Sequence, residues 1–183
     1  RGFGASPSGS VAHFAWTDVS GKRFSFDEKA HLGLPGIAGA SEERLDVFNE
    51  DWRARQRPDG TVELGARGAP GTLRLTLTSA KPLVAHGENG VSRKGPGPDD
   101  YSHYVSQTRL TAAGSLTSGG RAEALSGTAW FDHEWGPGGL KLERRTVHIS
   151  DNISRIAQVD SKTVDSAGGD DAHIDVLPAR CLR

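Results

Sequence analysis

The chain has 183 residues, 22 Lys and Arg against 23 Asp and Glu, a formal net charge of −1 and 35% hydrophobic residues. Near-neutrality argues against partners held by a basic surface, such as nucleic acid or an anionic membrane, and no apolar run approaches the ~20 residues of a membrane-spanning helix. The single cysteine, Cys181, excludes an internal disulfide and leaves the redox compartment open.

The chain begins at Arg1 and contains no Met. We therefore expect its N-terminus to be incomplete, with any targeting segment lost beyond it. Residues 1–10 are rich in Gly, Ser and Pro and read as a loop. Val11 to Thr17 is apolar and aromatic, Asp18-Val19-Ser20-Gly21 is a turn signal, and Arg23 to Phe26 alternates, so the three predict a hairpin. His31 to Ala40, broken by Gly and Pro, predicts no regular element. Leu45 to Trp52 alternates with one irregularity near Glu50-Asp51, and Pro58-Asp59-Gly60 turns the chain into a return strand over Thr61 to Leu64. Leu73, Leu75 and Leu77 alternate strictly with Arg74, Thr76 and Thr78, the clearest half-buried strand in the chain.

Residues 86–100 carry Gly, Pro, Asn and Asp and predict a long loop. Tyr101 to Leu110 is a strand, Ala113-Gly114 and Ser118-Gly119-Gly120 are turn signals, and Ala122 to Phe131 is a further strand. Every Phe, Trp and Tyr lies before Gly136. Without aromatic side chains the remainder buries little area, which predicts disorder or loose packing. Short strands at intervals of roughly 8–15 residues, with no helical stripe, predict an all-β antiparallel barrel or sandwich.

Chemistry concentrates in Trp130-Phe131-Asp132-His133-Glu134-Trp135-Gly136. Alternation sets Asp132 on the strand face of Trp130, which we expect to point into the barrel. A carboxyl group beside aromatic walls is expected to have a raised pKa and to serve as an acid. The competing reading is an Asp at a strand end that caps a turn or pairs with an Arg. Asp132 and His133 point to opposite faces, and the spacing matches no zinc signature, so no metal is expected. Strands that follow one another usually pair, which would bring His103, in Tyr101-Ser102-His103-Tyr104, near Asp132 as a helper. A His at a strand edge bonded to backbone is the plainer alternative. His86 is a candidate for the mouth of a pocket, or a surface histidine. Trp130, Trp135, Tyr104 and His86 make up the candidate ligand-binding set.

Four segments together resemble a known family: Val11 to Asp18, Lys81 to Gly90, Tyr104 to Leu110, and Gly127 to Gly136. The resemblance, over residues 11–136, is to the AttH-type lipocalin-like group, similar to carotenoid 1,2-hydratase, kievitone hydratase and many bacterial proteins called secreted hydrolases. It implies lipocalin-like (calycin) β-barrels in tandem, with a ligand cavity. It also implies an acid, matching Asp132, that protonates an isolated double bond so that water captures the cation, with a supporting His matching His103. No cofactor is implied. The substrate class is a lipophilic small molecule such as a terpenoid, isoflavonoid or lipid, and the location periplasmic or secreted. A non-catalytic lipocalin-like binding module for a lipophilic ligand is the alternative.

Two departures stand out. The family's further N-terminal motif has no counterpart before Val11, and its aromatic-rich strands do not follow Gly136. The expected layout is therefore an N-terminally incomplete β domain over residues 1–136 and a poorly structured tail over 137–183, frame-shifted or truncated.

Overall fold

The computed structural model describes residues 8–32, 36–41, 43–136, 141–151 and 155–165. Its regular elements are all strands: β1 (Ser8–Asp18), β2 (Arg23–Leu32), β3 (Ala38–Ala40), β4 (Asp46–Asn49), β5 (Trp52–Gln56), β6 (Val62–Gly68), β7 (Gly71–Ser79), β8 (Val84–Ala85), β9 (Val91–Arg93), β10 (Tyr101–Ser118), β11 (Arg121–Gly136), β12 (Lys141–Asp151) and β13 (Arg155–Asp165). There is no helix among the described residues, hence none long and apolar enough to cross a membrane.

Local chemistry explains most boundaries. Asp18 closes the β1–β2 turn by accepting hydrogen bonds from Gly21 N (2.8 Å), Arg23 Nη2 (3.0 Å) and Ser20 Oγ (2.9 Å). Those donors, Gly21 first, hold its carboxyl down at a pKa of about 2. The expected strand from Leu45 to Trp52 is instead a hairpin. Glu50 takes a positive φ of 54° between β4 and β5, so the irregularity at Glu50-Asp51 is a turn. The leucines of β7 lie in the core, with Leu73 fully buried.

The turn expected at Ala113-Gly114 does not form. β10 runs straight through it, pairing Gly114 with Leu75 of β7 on one side and Leu125 of β11 on the other. Glycine is needed there for space rather than for turning, because a Cβ would stand 2.0 Å from the Arg74 carbonyl oxygen. Gly114→Ala must push β7 and β10 apart and is expected to cost about 1–3 kcal/mol, read as a lowered urea midpoint at unchanged slope.

All strand pairs are antiparallel, and the main path of the sheet runs β2-β1-β13-β12-β11-β10-β7-β6-β5-β4-β3, with β8 and β9 added to the start of β10. The sheet curls until its distant parts share one core. Phe14 of β1 meets Trp52 of β5 edge to face at 6.1 Å, above Leu64, Leu73, Leu77 and Leu110. The closed calycin barrel expected from the resemblance is not what forms, because β2 and β3 end the sheet as two edges without pairing to each other. Side chains bridge the gap instead. Asn49 Nδ2 donates to Lys29 O (3.2 Å), Lys29 Nζ reaches Glu50 (2.6 Å) and Asp51, and the Ala69 amide donates to Asp27 Oδ2 (2.7 Å). Burial opposes the charge on Lys29, but hydrogen bonds from its ammonium to Asp51 and Glu50 outweigh it and raise the pKa. Those bonds lower the pKa values of both acids.

The sheet also continues past Gly136, where a poorly structured tail was expected. β12 pairs with β11, and β13 pairs with β12 and with β1. Alternation of Val147 and Ile149 in β12, and of Ala157 and Val159 in β13, suits strands without any aromatic. Residues 137–140, 152–154 and 166–183, which include Cys181, lie outside the described set.

One irregularity decides what the upper part of β10 presents. Gln107 pairs with Phe131 and Leu110 with Ala129, so Thr108 and Arg109 together oppose Trp130, a β-bulge. Beyond the bulge the even residues Leu110, Ala112 and Leu116 are buried in the core. Before it, the odd residues Gln107, Val105 and His103 share a face with Phe131, His133 and Trp135, with which they pair.

Candidate functional site

One face of β8, β10 and β11 carries a polar group of side chains. Residues opposite one another in an antiparallel pair point to the same side. Ser106 lies opposite both Val84 of β8 and Asp132 of β11, and Tyr104 lies opposite Glu134. His86 follows β8 and keeps its pairing, donating its amide to Tyr104 O at 3.0 Å. The chain then reverses at Gly87, whose φ is +66° and whose Cβ would stand 2.1 Å from Val91 O. Only glycine fits that close approach, and the turn fixes the end of β8 on which His86 sits.

Asp132 is the hub. Its Oδ1 accepts hydrogen bonds from the Ser106 hydroxyl, from Trp130 Nε1 at 2.8 Å and from the Tyr104 hydroxyl at 3.2 Å. Among the described residues no donor reaches Oδ2 and no Lys or Arg pairs with this carboxyl. His86 Nε2 lies 2.7 Å from Ser106 Oγ, and its ring stacks on that of Tyr104 with centroids 4.1 Å apart. Ser106 itself is 0% exposed. Burial, then the Asp132 charge, raises the pKa of the Tyr104 phenol and so keeps it a donor. Glu134, next along the face, takes the Ser102 hydroxyl and the Lys94 ammonium, each at 2.6 Å. Val84 and Trp130 are exposed apolar surfaces on either side of this polar line.

Of the residues singled out from sequence, the structure brings Asp132, Trp130, Tyr104 and His86 together. The expected common face of Trp130 and Asp132 is present, but it does not point into the core. Ala129 is 5% exposed and Trp130 41%, so the smaller neighbour turns inward and the indole outward. His103 is not beside Asp132. It lies opposite Trp135, on the other face of β10 and β11 from Asp132, where rings run from Tyr101 through His103, Trp135 and His133 to Phe131 at spacings of 4.4–6.3 Å. Trp135 belongs to that row, away from the carboxyl. Asp132 and His133 fall on opposite faces, as strand alternation requires. Ser106 was missed. Its signal was the two-residue step of Tyr104 and Ser106 on one strand, matched by that of Trp130 and Asp132 on the next.

A family model described as AttH-like matches residues 3–146. The fold is similar to that in a crystal structure of a candidate AttH protein from Nitrosomonas europaea, with a TM-score of 0.59 and 20% identity, covering 86% of this chain. This chain spans 66% of that one. No curated protein matches the sequence.

Proposed function

Because the chain belongs to the AttH-like family, we propose that its site performs acid-assisted addition of water to a hydrophobic small molecule, as a hydratase or a hydrolase-like enzyme, with Asp132 as proton donor. The observation that carries this reading is the asymmetry of the carboxyl group. Three donors converge on Oδ1, which fixes the carboxyl plane, while Oδ2 has no donor among the described residues. A proton on Oδ2 leaves all three hydrogen bonds in place, so the group can be both anchored and acidic. Trp130 and Val84 offer apolar contact to a terpenoid, isoflavonoid or lipid-like substrate. Tyr104 and His86 form the polar wall between them. His103 and Trp135, on the other face, are left out of this acid site. A periplasmic or secreted location belongs to the same proposal, on family likeness.

The second reading is a lipophile-binding module without chemistry. It is favoured by the exposed indole of Trp130 and side chain of Val84, which serve binding whether or not a proton moves. Incubation with a panel of lipophilic alkenes and esters, followed by mass spectrometry of products and of the intact protein, separates the two. The proposal expects a product heavier by one water, or a cleaved ester. A bound compound recovered unchanged from every reaction selects the binding module.

A further inference from the structure

We infer that His86, Ser106 and Asp132 form a proton wire across three strands, in which His86 recharges Asp132 through the Ser106 hydroxyl. The inference rests on the acid role of Asp132, since hydration poses a problem that this geometry answers. An acid that gives its proton to a double bond is left as a carboxylate, and the water that captures the cation must lose a proton. One turnover closes only when the second proton replaces the first.

The atoms for that return are present. Ser106 is buried, and its oxygen joins Asp132 Oδ1 to His86 Nε2, the latter at 2.7 Å, with the Tyr104 hydroxyl also beside it. A hydroxyl has one proton, so it donates to one partner and accepts from the other. With Asp132 ionised, Ser106 donates to the carboxylate and accepts from His86 Nε2–H. With Asp132 protonated at Oδ1, the carboxyl donates to Ser106 and Ser106 donates to His86 Nε2, which then carries its proton on Nδ1. The two arrangements differ by one proton on the carboxyl, by the tautomer of the neutral imidazole and by the direction of both hydrogen bonds.

The cycle balances as follows. Asp132 transfers its proton to the alkene carbon, the π pair forms the new C–H bond, and a carbocation and a carboxylate remain. Water adds to the cation through an oxygen lone pair, and the resulting oxonium loses a proton to Nδ1 of His86, which has no partner among the described residues. Imidazolium Nε2–H passes its proton to Ser106 Oγ as Ser106 passes its own to Asp132 Oδ1. A half-turn about the Asp132 Cβ–Cγ bond presents that proton to the ligand side, and the neutral ring returns to its Nε2–H form by exchange with water. The sum is alkene plus water to alcohol.

Several other charged groups stand near. Tyr104 shares Asp132 Oδ1, Glu134 and Lys94 pair beside it, and Glu88 lies in the turn after His86. On β12, Thr146 is at the register position opposite Asp132, Arg144 opposite Glu134 and His148 opposite Trp130. Of the described groups among these only the Tyr104 hydroxyl also reaches Ser106, and its ring meets His86 by stacking alone, so the path from His86 to Asp132 runs through Ser106 Oγ.

The test reads the tautomer of neutral His86 by long-range 1H–15N NMR of the whole chain, the signal being identified by its loss in His86→Gln. The unsubstituted protein is expected to show Nε2–H. Asp132→Ala frees the Ser106 hydroxyl to donate to Nε2, so His86 should switch to Nδ1–H. Asp132→Asn keeps the acceptor oxygen and should keep Nε2–H. On a Ser106→Ala background, Asp132→Ala should change nothing. Where Asp132→Ala does not fold, Asp132→Leu removes the acceptor while filling the space. An unchanged tautomer in the folded Ala or Leu variant overturns the wire, and so does a switch that survives without Ser106. A switch that needs Ser106, in a protein that turns over no lipophilic alkene, keeps the wire and removes the hydratase reading instead.

Discussion

Asp132→Asn is expected to lower turnover by roughly 10²- to 10⁴-fold, the usual contribution of a positioned general acid, while ligand affinity changes by less than about threefold. Asn has the shape of Asp and retains an oxygen for the three donors on Oδ1, Ser106, Tyr104 and Trp130. It lacks only the dissociable proton. Steady-state kinetics with the substrate found in the panel, beside calorimetric binding to the same compound, measures both arms. Turnover at the unsubstituted rate would falsify the acid role. A parallel loss of affinity would mean that Asp132 holds the ligand rather than transforms it. Trp130→Phe is the companion change, because it removes one donor to Oδ1 and keeps the aromatic surface. It should cost turnover far less than Asp132→Asn does.

The largest loss of stability is expected at Trp52. Its indole is buried in the core, meets Phe14 edge to face, lies under the Lys29 ammonium at 5.1 Å and donates Nε1–H to Arg67 O at 2.7 Å. Trp52→Ala leaves a cavity and strands a carbonyl, a change that costs about 3–5 kcal/mol. Trp130→Ala, which removes the same side chain from an exposed position, should cost well under half of that. Urea unfolding followed by far-UV circular dichroism compares them without relying on tryptophan emission. Equal losses would mean that the core does not centre on the contact between β1 and β5.

Much of this architecture was legible because strands advertise themselves by alternation. Leu73, Leu75 and Leu77 announced a buried face, and they line the core. The common face of Trp130 and Asp132 was legible for the same reason. Which side of the sheet that face takes was not, since alternation fixes parity and says nothing of direction. Direction follows from the partners across the sheet, and the bulge at Thr108-Arg109 reverses parity within one strand. His103 was set beside Asp132 for want of that register. Its true neighbour, Trp135, lies three residues away and faces the other side. Gly114 looked like a turn because glycine signals both tight turning and close approach, and only the neighbouring strand tells them apart. The importance of His86 was hidden in a stretch that reads as loop. The two-residue strand Val84–Ala85 that carries it is too short to alternate visibly.

The gap between the two ends of the sheet bears on solubility. An unpaired edge offers its amides and carbonyls to any other strand, including that of a second molecule. β3 is only three residues long and offers little. β2 is ten residues long, and Phe24, 65% exposed, and Phe26 give it a sticky flank. What guards β2 is the ammonium of Lys29, held across the gap by Glu50 and Asp51. Charge at an edge discourages a neighbour from docking, and acid or concentrated salt weakens the grip that positions it. Fibril or oligomer growth in such conditions would begin at β2, with the phenylalanines meeting their copies.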